Sequence, residues 1–71
     1  MGRTHVTSVI NQEKFCINKN EDNDLHKSEN IYVLTAQGLV YASVVEIFED
    51  QSICKADKAN AVKVNDIVII E

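Results

Sequence analysis

Apolar positions fall into short runs, Val6–Ile10, Phe15–Ile17, Ile31–Leu34, Leu39–Phe48, Ile53–Ala56 and Ile67–Ile70, separated by stretches of Asn, Asp, Ser and Gln. The runs are rich in β-branched and aromatic residues, which suit a pleated, half-buried surface. Runs of this length at this spacing predict strands of a sandwich or barrel. The longest, Leu39–Phe48, is apolar on both parities over its first half. That pattern predicts a central strand that bends or is covered on two sides. The best helical candidate, Ala56–Val64, is too short to pack as a helix and ends in β-branched residues. A loop, or at most one short helical turn near 56–64, is expected there.

The punctuation between the runs is unusual. The chain has no Pro, two Gly and seven Asn. Asn tolerates the left-handed backbone conformation better than most residues, so it can hold turn positions with positive φ. Tight turns are expected at Asn11–Glu13, Gln37–Gly38 and Glu49–Gln51, and a long polar segment, Asn18–Asn30, joins the second run to the third. Leu25-His26-Lys27-Ser28-Glu29-Asn30-Ile31 echoes Val62-Lys63-Val64-Asn65-Asp66-Ile67-Val68: an apolar residue, a short turn, an acid, then a strand. The expected fold class is therefore all-β, a small antiparallel barrel or sandwich of about five to six strands, in a single domain 1–71.

Composition narrows the function. At 71 residues, with 45% apolar and 25% charged, the chain is globular in character but small. A domain of this size buries only about 60% of the surface its unfolded chain exposes, so its core must be well packed or completed by a partner. Net charge is −4, and the one Arg and six Lys are scattered. A nucleic-acid binder needs a basic stripe to neutralise phosphates, so nucleic acid is disfavoured as a partner. No stretch approaches the 18 or so apolar residues of a membrane span, and Met1–Val6 has no apolar run, so no signal peptide is expected. The compartment stays open: cytoplasmic if Met1 is the native start, periplasmic or envelope if the chain was cut from a longer exported protein. Cys16 and Cys54 fit either a disulfide between distant strands or two reduced, buried thiols, and the buried thiols are the preferred reading.

From about Val6 to Ile70 the order of runs and turns resembles the small barrel that forms the C-terminal domain of bacterial flagellar assembly protein T and its relatives. In that family a first hairpin is followed by a Gly-rich turn. The family's three glycines fall here at Asn20, Asp24 and Ser28, and its acid at Glu29. The long strand Tyr41–Glu49, the acidic turn after it and the strand to Ala56 also match. So does the closing element Val62–Val68, with Asn65 in place of Gly. The resemblance implies a small barrel that serves as an assembly module within larger envelope or flagellar basal-body proteins.

Several residues invite chemical readings. Asn18–Glu29, read as a twelve-residue calcium loop, offers Asn18, Asn20, Asp22, Asp24 and Glu29 as candidate ligands. Asn at the first position, Asn23 where the motif has Gly, and β-like flanks in place of helices favour a solvated acidic turn. Glu49 and Asp50 are adjacent carboxylates in a polar turn, without the apolar pocket that raises a catalytic acid's pKa. His5 and His26 lack close spacing to each other or to the cysteines, so no zinc site is expected. Phe15, Tyr32, Tyr41 and Phe48 are the four aromatics; without a basic groove for base stacking they read as core. No catalytic constellation and no cofactor are expected. The expected function is a non-catalytic protein-interaction or assembly module whose partner is another protein or a second copy. A free-standing acidic inhibitor of phage or effector type is the alternative. An open edge strand is a further candidate contact, best placed at Val64–Glu71 if that run is not already central in the sheet.

Overall fold

The polar punctuations become turns, and the turns set the sheet. The structure is a computed structural model that describes residues 4–18 and 25–70. Six strands grow from the six apolar runs: β1 (Val6–Val9), β2 (Lys14–Asn18), β3 (Asn30–Thr35), β4 (Gly38–Ile47), β5 (Gln51–Ala56) and β6 (Ile67–Ile70). They form one sheet in the order β1-β2-β5-β4-β3-β6, and every neighbouring pair is antiparallel. The sheet curls into a half-barrel, and its two edges meet at one end. There Val6 N–H donates to Asp66 C=O (2.9 Å), Asn65 N–H to Val6 C=O (2.8 Å) and Val68 N–H to Thr4 C=O (3.0 Å), around an isolated bridge between His5 and Ile67.

All three expected tight turns are present. Asn11 Oδ1 accepts from the backbone N–H of Glu13 (2.9 Å) and of Lys14 (2.8 Å), a side-chain mimic of a backbone turn that joins β1 to β2. Thr35 and Gly38 face each other across the two-residue loop between β3 and β4. Thr35 Oγ1 donates to Gly38 C=O at 2.8 Å and accepts from Gln37 N–H at 3.1 Å. Gly38 has φ 110°, a conformation that side-chain-bearing residues rarely adopt.

The two echoing segments adopt one geometry. In each, the acid's backbone N–H donates to the carbonyl three residues back: Glu29 to His26 and Asp66 to Lys63, both at 3.1 Å. In each, the acid's carboxylate returns the bond: Glu29 Oε1 accepts from His26 N–H (3.1 Å), and Asp66 Oδ2 from Lys63 N–H (2.9 Å). The residue before the acid has positive φ, 69° at Ser28 and 76° at Asn65, as the third residue of a type II turn must. These turns launch β3 and β6, which pair with each other. Ser28 and Asn65 are turn formers, as expected; Asn20 and Asp24 lie outside the described residues.

No helix occurs among the described residues, and 57–66 is turn and irregular chain. Instead of a helical turn, this segment inserts Ala61 and Val62 into the core, joined by Leu25 from the segment before β3. Strand β4 is central and bent, as its length predicted: its pairing with β5 shifts between Val44 and Glu46, a bulge that turns the strand around the core. Phe15, Ile17, Ile31, Val33 and Val44 fill the concave side.

Candidate functional site

The double parity of the apolar runs has a specific consequence. In a strand, alternate side chains leave opposite faces, so Val40, Ala42 and Val44 enter the core while Leu39 and Tyr41 point outward. The register aligns the outward chains into rows across three strands. Leu39 of β4 faces Leu34 of β3, which faces Ile67 of β6; Tyr41 faces Tyr32, which faces Ile69. Five of these six keep much of their surface in solvent: Tyr41 61%, Leu39 58%, Leu34 48%, Ile69 43% and Ile67 36%. Tyr32 is half-buried, and its ring meets that of Tyr41 edge-on, centroids 5.1 Å apart and planes at 62°. The six side chains make one apolar area on the order of several hundred Å², comparable to the largest patch on a typical monomer, which is often functional.

Chemistry enters at one flank of this face. Asp57 follows the last residue of β5, and its N–H donates to Tyr41 C=O at 2.9 Å, which ties it to β4 at that residue. Tyr32, Tyr41, Asn30, Ile31 and Asp57 line a cleft of about 280 Å³. A second hollow of about 300 Å³ lies under the β1–β2 turn, with Val9, Phe15, Val62 and Val64 among its walls. No protein-family model, curated protein or solved structure matches the chain.

The residues singled out by sequence are dispersed. Of the calcium candidates, Asn20, Asp22 and Asp24 lie outside the described residues. Asn18 ends β2, and its Oδ1 accepts from His5 N–H at 2.7 Å; Glu29 is engaged in its own turn. Both ends of the loop therefore spend side-chain oxygens on backbone, and the flanks are strands rather than helices. Among the described residues no group of three or more His, Cys, Asp or Glu is placed to hold a metal ion. Glu49 and Asp50 are exposed in the β4–β5 turn, His26 is exposed, and His5 bridges to Ile67. No helix among the described residues is long and apolar enough to cross a membrane.

One reading needs correction. The aromatics are not a common core: Phe15 is buried, but Tyr41 and Phe48 are exposed and Tyr32 only partly covered. Tyr32 and Tyr41 sit on the outward parity of strands whose inward parity is filled by smaller aliphatic chains. The Val64–Glu71 run, expected as an edge, contains β6. Strand β6 is an edge of the sheet, yet Thr4–Val6 already occupies part of its outer side, and Glu71 lies outside the described residues. The outer face of β4, β3 and β6 also carries exposed apolar side chains. A signal for it was present: Ile67–Ile70 and Leu39–Val40–Tyr41 are apolar without alternation, and such strands need cover on both sides.

Proposed function

We propose that this domain is a protein-binding module that docks its partner on the outer face of β4, β3 and β6. The observation that carries the reading is the registration of Leu39–Leu34–Ile67 beside Tyr41–Tyr32–Ile69 on solvent-facing positions. Exposing this much apolar surface is costly for a chain with so small a core, and a bound protein removes it from water. Tyrosines in such a patch favour a protein interface, since each offers a large rigid ring with a polar end. The charge supports a protein over a nucleic acid. Lys14 and Lys55 face each other on the sheet, but their row continues into Ser43 and Asn30, and the net charge is −4. The resemblance to assembly modules points the same way, and an inhibitor would use the same face.

The test compares the full chain with a Leu34→Ser/Leu39→Ser variant as baits in a capture experiment, after thermal melts show that both are folded. A protein held by the first and lost from the second is the expected result. The same proteins held by both, or nucleic acid alone, would overturn the reading.

A further inference from the structure

The cleft at the β5 flank of the docking face has a chemistry that the apolar rows do not explain. Two tyrosines, an aspartate and an asparagine are among the residues that line it: Tyr32, Tyr41, Asp57 and Asn30. The rings meet edge to face rather than stacked, and Tyr41, the more exposed of the two, keeps much of its ring in solvent. An open aromatic face carries negative potential and attracts a cation placed within about 6 Å of its centre. The Asp57 carboxylate adds a formal negative charge on the same cleft, and Asn30 adds a carbonyl acceptor. We propose that the Tyr32–Tyr41–Asp57 cleft receives a cationic side chain, arginine above all, from the protein segment that covers the outer face. This inference rests on the docking reading above and specifies the chemistry of the partner.

The alternatives fit less well. An aliphatic side chain in the cleft would strip water from Asp57 without giving its carboxylate a partner, which costs free energy. An anionic group would meet Asp57 and the ring faces with like charge. A guanidinium satisfies both features, since its plane stacks on a ring while its N–H fork reaches a carboxylate. A volume of about 280 Å³ admits such a head group with part of its stem. Within the chain, Lys55 is the nearest cation by register, opposite Ser43 and two residues before Asp57, but it does not line the cleft. The partner's arginine is therefore expected to be flanked by apolar residues that meet the rows of Leu34, Leu39, Ile67 and Ile69.

The experiment titrates the full chain with acetyl-Val-Arg-Val-amide and with acetyl-Val-Gln-Val-amide. It follows the ring signals of Tyr32 and Tyr41 and the methyl signals of Leu34 and Leu39 by nuclear magnetic resonance. The arginine peptide should shift the ring signals and bind roughly two- to five-fold tighter than the glutamine peptide. That difference should vanish in Asp57→Asn and in Tyr41→Leu, each with an unchanged melting temperature, and should grow in Lys55→Gln. Equal affinities with methyl shifts from both peptides would overturn the cation inference and leave the docking face standing. If neither peptide moved any signal of the face at millimolar concentration, both readings would fall.

Discussion

Cys16 and Cys54 lie on adjacent strands one residue out of register, so their side chains leave opposite faces of the same sheet. Cys54 faces Phe15 across β2 and β5, and both belong to the core; Cys16 faces Ile53 and points the other way. Both thiols are free and buried. A disulfide needs Cβ vectors that converge, and only a one-residue slip, which would turn every core residue of β2 outward, would bring these two together. Mild oxidation of the native protein with diamide should therefore leave both thiols unpaired, read as an unchanged intact mass. A loss of two hydrogens without loss of the fold would show that the register is wrong.

Burial pushes the Cys54 thiol up to about 12 from an ordinary 9.0, with the nearby Cys16 adding to the shift. The folded state thus holds this proton where the unfolded chain releases it. The resulting stability is fully present below pH 9 and is lost as pH rises toward 12. Urea midpoints measured between about pH 8 and about pH 10.5 should fall more steeply for the natural chain than for Cys54→Ala. The variant will start lower, by on the order of 1 kcal/mol for the lost packing. Parallel slopes would refute the assignment. The same shift makes Cys54 a poor nucleophile at neutral pH, because the thiolate is the reactive form.

Ser52 is fully enclosed between Ile17 of β2 and Ile47 of β4, and its hydroxyl finds no hydrogen-bond partner among the described residues. Leaving such a group dry and unpaired costs about 1–3 kcal/mol. Ser52→Ala removes the hydroxyl with little change in volume, so it should raise stability by about 1 kcal/mol, or the melting temperature by roughly 4–8 °C. A lower melting temperature in calorimetry would mean that the hydroxyl has a partner.

The two parities of β3 should respond differently to truncation. Ile31 lies in the core, whereas Leu34 belongs to the outer face. Ile31→Ala should cost about 2–5 kcal/mol, while Leu34→Ala should stay within about 0.5 kcal/mol. Denaturant midpoints decide the matter. Comparable costs would mean that the outer face is covered within the monomer.

Much of this architecture was legible because each apolar run is short and bounded by turn formers. A sheet of about five to six strands, three tight turns and a long β4 that bends or is covered on two sides follow from spacing and residue type alone. The facing of the aromatics did not. In a run such as Leu39-Val40-Tyr41-Ala42 either parity can be the inner one, and the choice is made by strands distant in sequence, here β5 and β3. The same limit hid the cleft, which depends on Asp57 following β5 to a place beside Tyr41. Leu25, Ala61 and Val62 were also missed as core, since they are apolar residues isolated in polar segments and carry no periodicity.

Ser28 and Asn65 hold equivalent positions in the two turns that launch β3 and β6, and both pay for positive φ without being glycine. The left-handed conformation costs an L-residue about 1–2 kcal/mol, somewhat less for Asn because its short side chain bonds locally. Neither residue's side chain is buried, so replacement changes the backbone preference and little else. Ser28→Gly should therefore stabilise the domain by up to about 1 kcal/mol, and Asn65→Gly by less. Val at either site should destabilise it by more than 1 kcal/mol or so, because a β-branched residue resists positive φ. Chemical denaturation of the four variants gives the order directly. If glycine were destabilising at both sites, the local bonds made by Ser and Asn, rather than the turn's φ, would be what holds β3 and β6 in register.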